Sequence, residues 1–123
     1  MSWFNRDPER LDIEKQVAVA AYPEARFYKQ GDLIRIRVVI RGRKNEYDIE
    51  IIYPSRFPAV HPDAFLRSPA EVDCPHILPD GQLSVHPAGG FGTEISGKVL
   101  IDWSVLWLQH FEYWLDTGNW PED

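Results

Sequence analysis

Between Cys74 and His86 the chain reads Cys-Pro-His-Ile-Leu-Pro-Asp-Gly-Gln-Leu-Ser-Val-His, and this stretch holds the only cysteine and two of the four histidines. A serine hydroxyl is a poor nucleophile until a base takes its proton, and an imidazole is the side chain suited to that near neutral pH. Ser84 activated by His76 or His86 would therefore make an acyl-transfer centre. Cys74 is the other nucleophile on offer, but a lone thiol ahead of a proline serves equally as an inert packing group. A metal reading would join Cys74, His76 and His86 with His61. The Cys-x-His spacing is tight and no fourth-ligand pattern supports it, so we expect neither metal nor cofactor.

The stretch carries its own stiffness. Pro75 and Pro79 each fix one φ and push the preceding residue toward extended geometry. Asp80-Gly81 is a turn pair, because glycine accepts positive φ without steric cost. Beyond it, Gln82 to Val85 is strand-like, with Leu83 and Val85 on one side and Ser84 and His86 on the other. A rigid loop presenting small polar groups is a common way to build a site.

The elements around this loop follow from pattern. Asp7-Pro8-Glu9 starts a helix, with Asp as N-cap, Pro at the first helical position and a carboxylate near the positive dipole end. Ile13, Val17, Ala20 and Ala21 form its apolar stripe, and Tyr22-Pro23 ends it. Arg26 to Gln30 supplies a first strand before the Gly31-Asp32 turn. Leu33 to Ile40 and Tyr47 to Tyr53 are two clear strands, and Arg41 to Asn45 joins them as a solvated basic hairpin loop. An antiparallel register that opposes Arg37 to Asp48 also opposes Arg35 to Glu50. A shift by two sets Arg37 against Glu50, and a slip by one would drive charges into the core. Tyr53-Pro54, Phe57-Pro58 and His61-Pro62 cannot continue a central strand. Ala64 to Arg67 forms a short strand closed by Ser68-Pro69. Ala88 to Thr93 lacks the strand and the Gly-Lys-Ser/Thr ending of a phosphate loop, so it reads as a mobile flap beside Ser84. Gly97 and Lys98 read as loop. A last helix starts near Asp102 or Ser104. Trp103, Leu106, Trp107, His110, Phe111, Trp114 and Leu115 share one face of it, and Thr117-Gly118 ends it.

The totals set the frame. With 123 residues, 44% hydrophobic and 26% charged, the chain is expected to form one domain spanning 1–123 with a packed core. A net charge of −6 disfavours nucleic acid as a partner. A single cysteine allows no internal disulfide and fits a reducing cytoplasm. No apolar run approaches about 18 residues, so no membrane partner is expected. The fold class is α+β: an N-terminal helix, a four-stranded antiparallel meander, an irregular site loop and a C-terminal Trp-rich helix.

The order of these parts resembles the ubiquitin-conjugating enzymes over residues 8–86. In that family Tyr-Pro and further prolines precede the fourth strand, as Tyr53-Pro54, Phe57-Pro58 and Pro62 do here. The family then carries His-Pro-Asn, an apolar residue, a glycine and the catalytic cysteine. Cys74-Pro75-His76 lies on that triplet, Gly81 on the glycine five positions after His76, and Ser84 on the cysteine eight positions after it. Prokaryotic members often read Pro-His, and the closing Gly-Asn-Trp-Pro from Gly118 to Pro121 is similar to bacterial tails.

The resemblance implies a site built from Ser84, His76, Pro75, Asp80, Cys74 and His86, with His76 a donor to a developing oxyanion. It also implies an activating-enzyme-like partner, and a ubiquitin-like modifier or nucleotidyltransferase target, in a bacterial conjugation or antiphage defence operon. The departure is oxygen in place of sulfur at residue 84. Three readings of that position stand side by side. It is an engineered replacement that traps a stable ester, a native non-catalytic variant that binds a partner through the same surface, or a native serine activated by His76 or His86. As written, an enzyme of this type would be inactive unless residue 84 is natively cysteine.

Overall fold

The alternating apolar and charged residues from position 26 to 68 form a four-stranded antiparallel sheet in a computed structural model that describes residues 2–85 and 95–121. The strands are β1 (Arg26–Gln30), β2 (Leu33–Arg41), β3 (Glu46–Ile52) and β4 (Asp63–Ser68), paired in chain order as a meander. Among the described residues three helices accompany them: α1 (Trp3–Arg6), α2 (Pro8–Ala21) and α3 (Gly97–Thr117). Ile34, Ile36, Val38, Tyr47, Ile49, Ile51, Ala64 and Leu66 are buried on one sheet face, in a common core with Leu100, Ile101, Trp107, Leu108 and Phe111 of α3. The α+β architecture expected from the sequence is the one observed.

The β2–β3 register is the one shifted by two, with Arg37 facing Glu50 and Arg41 facing Glu46. Loop length decides it, because a hairpin's register is set by its turn. The other register would leave a two-residue turn. Here the loop is Gly42 to Asn45, and the backbone N–H groups of Arg43 and Lys44 both donate to the Glu112 carboxylate of α3, at 3.0 and 2.9 Å. Lys44 and Arg43 also pair with Asp116, at 2.6 and 3.6 Å. The basic loop is therefore exposed, as expected, and also clamped to α3. The charges on the outer sheet face still meet, but on diagonals. Arg37 holds Asp48 with two bonds of 2.8 and 2.9 Å. Glu50 is buried and accepts from Tyr28 and from Arg67 Nε at 2.8 Å, with Arg35 at 3.5 Å.

Three further expectations are corrected. On α2 the stripe from Ile13 to Ala21 faces outward: Ile13 is 53% and Val17 44% exposed, while Glu14 and Ala18 are buried. A polar contact outranks the stripe. Glu14 accepts from Tyr53 Oη at 2.6 Å and from the Gly97 backbone N–H at 2.9 Å, which ties α2 to the N-terminus of α3. The Tyr53 phenol is pushed well above its ordinary value by burial, then by the Glu14 charge.

Helix α3 starts at Gly97, capped by Ser96, whose Oγ accepts from Val99 N–H at 3.3 Å. Glycine is required at that position. A Cβ there would lie 2.7 Å from Tyr53 Cζ and 2.8 Å from Ile36 Cδ1. On α3 itself Leu106 and Leu115 are exposed, and Leu100, Ile101, Ser104 and Leu108 are buried instead. Helix α1 was not expected from the sequence. It buries Trp3 and Phe4 against Tyr53 and Phe57, with Trp3 ring centroids 5.3 Å from Tyr53 and 4.7 Å from Phe57.

Candidate functional site

The stretch from Ile77 to Leu83 is a small hairpin added to the β4 edge. Gly81 N–H donates to Leu78 O at 2.9 Å and Leu78 N–H to Gln82 O at 2.8 Å, closing the turn around Pro79 and Asp80. Asp80 Oδ1 accepts from Gln82 N–H at 3.0 Å, so this carboxylate braces the turn. Gly81 has φ +92°, and a Cβ on it would sit 2.9 Å from Leu66 O. The close approach is needed because Leu66 N–H donates to Gly81 O at 2.9 Å. Leu83 N–H donates to Ala64 O at 2.8 Å, and Leu83 is fully buried. Arg67 reaches from Glu50 to the Asp80 carbonyl at 3.5 Å, with its guanidinium 4.6 Å over the Phe65 ring.

Alternation then decides the next side chain. With Leu83 inside, Ser84 is exposed. Its N–H donates to the carbonyl oxygen of His76 at 3.0 Å, and Trp107 Nε1–H donates to the same oxygen at 2.9 Å. His76 has φ +62°, a left-handed conformation that is sterically costly for a residue with a side chain. Its ring lies 5.2 Å from that of Trp120. Trp120 in turn lies 5.3 Å from Trp107 and 6.0 Å from His110, edge to face with the latter. The indoles of α3 and of the segment after it thus form the floor under the loop.

The loop brings Pro75, His76, Asp80 and Ser84 together on one β4-edge unit, with Cys74 at its start. Among the described residues no hydrogen bond involves the Ser84 hydroxyl. His86 and the expected flap Ala88 to Thr93 lie outside the described residues. Cys74 is half-buried and packs against the core. Burial, then the nearby Asp73 charge, pushes its thiol up to about 11, so it is almost wholly protonated at neutral pH. Among the described residues no group of three or more His, Cys, Asp and Glu side chains is placed to hold a metal ion. The geometry suits a nucleophile or acyl acceptor at residue 84, held on a fixed backbone. It does not suit thiolate chemistry at Cys74.

Sequence reasoning missed Trp107, Trp120 and Arg67 as supports of the loop. The aromatic stripe on α3 signalled a core but not which indole N–H would face a carbonyl. Asn119-Trp120-Pro121 carried a weak signal, a tryptophan placed just past a helix stop.

No match to the chain is found among curated proteins or solved structures. A family model described as Type II CBASS E2 protein matches residues 14–123, nearly the whole chain, including the meander, the hairpin of Ser84 and α3. A conjugating-enzyme-like meander, a Pro-His loop bonded to its edge strand and a helix closing the sheet are what that match covers, and the chain belongs to the type II CBASS E2 proteins, a bacterial antiphage-defence family.

Proposed function

We propose that residue 84 is the acyl-receiving position of a conjugating-enzyme-type protein. The acyl group is the carboxyl-terminal end of a ubiquitin-like modifier or of a nucleotidyltransferase target, delivered by an activating-enzyme-like protein and passed on to an amine. The observation that carries this reading is the exposed Ser84 side chain on a backbone fixed by His76 O and the β4 edge. In the loading step Ser84 Oγ attacks the thioester carbon on the activating protein. The O–C bond forms, the C–S bond breaks, and the hydroxyl proton ends on the departing sulfur. In the transfer step an amine nitrogen attacks, the C–O bond breaks, and Oγ regains a proton.

Oxygen changes the rates of both steps. Without a base the hydroxyl loads slowly, and the ester, once formed, is a poorer acyl donor to an amine than a thioester. The sulfur version of this site would turn over, whereas the chain as written holds its acyl group or its partner. A second reading is an adaptor that docks the activated partner without chemistry, and what favours it is an oxygen rather than a sulfur at residue 84. Either reading uses cytoplasmic partners, and among the described residues no helix is long and apolar enough to cross a membrane.

The test incubates the chain with the activating-enzyme-like protein encoded beside it, ATP and the modifier or target. Ser84→Cys is expected to give an adduct that dithiothreitol removes, and Ser84→Ala none. The serine protein is expected to give either no adduct or one that resists thiols and yields to hydroxide. No reductant-sensitive adduct on Ser84→Cys would overturn the acyl-transfer reading.

A further inference from the structure

We propose that Trp120 is a positioning residue for the site loop, acting on Ser84 through His76 and Trp107. The inference rests on residue 84 being the acyl-receiving position.

The chain reverses just after α3. Gly118 adopts φ +77°, its N–H donates to Trp114 O at 2.8 Å, and Asn119 N–H donates to Thr117 Oγ1 at 3.1 Å. This stop returns the next residue toward the helix. Trp120 is only 9% exposed, although the residues just before it, Leu115 to Asn119, are open to solvent. Its ring packs on Trp107 and His76 at once, and the His110 ring stands nearly perpendicular to it.

That placement matters because of what His76 has to do. A single carbonyl oxygen receives both the Ser84 N–H and the Trp107 indole N–H, and it points correctly only while His76 keeps its left-handed backbone. A left-handed histidine persists only where its surroundings over-determine it. Two of those constraints are the bonds to its oxygen. A third is the ring contact with Trp120, which also packs on Trp107. Removing the Trp120 ring takes one contact from the His76 side chain and loosens the Trp107 indole together. The Ser84 amide then loses a fixed acceptor while the sheet, whose strand pairing Trp120 takes no part in, stays folded.

Amide and indole hydrogen exchange by NMR reads this directly. Trp120→Ala is expected to raise exchange of the Ser84 amide and the Trp107 Nε1–H by about tenfold or more, with Ile49 and Ile51 of β3 unchanged. Trp120→Phe keeps an aromatic ring on both neighbours and is expected to restore most of the protection. In a Ser84→Cys background, discharge of the loaded adduct to free lysine should fall about tenfold in kcat with KM unchanged in Trp120→Ala. An equal rise in exchange at Ser84, Trp107, Ile49 and Ile51 would overturn the proposal, since it would make Trp120 a general core residue. No rise at Ser84 would also overturn it. The exchange readout needs no acyl adduct, so a Ser84→Cys protein that never loads would strike the functional reading alone.

Discussion

The indole Nε1–H of Trp107 donates to the carbonyl oxygen of His76 at 2.9 Å, and the backbone N–H of Ser84 donates to that same oxygen at 3.0 Å. One carbonyl thus joins the helix that closes the sheet to the residue offered at the surface. Trp107→Phe keeps the ring stack with Phe111, 5.3 Å between centroids, and removes only the donor. The oxygen retains Ser84 as partner, so the expected cost is about 1 kcal/mol. Trp107→Ala removes the ring as well and should cost about 3–5 kcal/mol. Urea titrations with unchanged slope check both, and a loss of several kcal/mol in Trp107→Phe would show that the bond does more than this.

Cys74 is expected to be slow toward electrophiles. Its thiol is pushed up to about 11 by burial and Asp73, so little thiolate exists at pH 7.5. Iodoacetamide labelling of the native chain should rise about tenfold per pH unit from pH 7 to 10, because only the deprotonated sulfur reacts. In Ser84→Cys the introduced thiol should be labelled at least about tenfold faster than Cys74 at pH 7.5, as expected of an exposed side chain of ordinary acidity. Peptide mass spectrometry over a time course separates the two.

Acid should unfasten the hairpin from α3. Burial tends to raise the Glu112 carboxyl, but the Lys44 and Arg43 backbone N–H groups, the Tyr47 hydroxyl and the Arg43 charge outweigh it and hold it below its ordinary 4.5. A carboxylate lowered in the folded state stabilises fully above its unfolded value, and that stability is lost as pH falls through the folded value. Stability should therefore decline as pH drops below about 4.5. Glu112→Gln should cost about 2 kcal/mol at pH 7 and flatten part of that acid decline. Unfolding titrations at pH 7, 5, 4 and 3 measure it. Glu50, lowered by Tyr28, Arg67 and Arg35 against its own burial, and Asp116, lowered by Lys44, add to the slope.

Gly97→Ala should weaken the joint between α2, α3 and the sheet. The added methyl would meet Tyr53 Cζ at 2.7 Å and Ile36 Cδ1 at 2.8 Å, both fully buried. A crowded core of this kind costs about 1–3 kcal/mol, which outweighs the helix propensity gained. A lowered Tm by thermal unfolding is the expected result, even though alanine is the better helix former.

Much of the architecture was legible because it rests on alternation and on punctuation by proline and glycine. The meander, the Asp7 cap, the end of α2 at Tyr22 and the Asp80-Gly81 turn all follow from local chemistry. What escaped was decided at a distance. The stripe of Ile13 and Val17 looks like a buried face, yet α2 turns Glu14 inward because Tyr53 and Gly97 need its carboxylate. Gly97 reads as a helix breaker until Tyr53 is placed beside it. Alternation left two registers open, and the four-residue loop of the one observed is held by Glu112, 65 or more residues away in sequence. At the site, residue types and spacing pointed to the loop, whereas the indoles beneath it are found only once α3 is packed on the sheet.

The central claim is that the loop offers residue 84, and not Cys74, to an incoming acyl group. The most direct measurement is peptide-level mass spectrometry of the Ser84→Cys protein after loading by the activating-enzyme-like protein with ATP, quenched without reductant. The account predicts the acyl mass on the peptide at residue 84 with Cys74 unmodified. Acyl mass on Cys74, or loading that survives in Ser84→Ala, would contradict it.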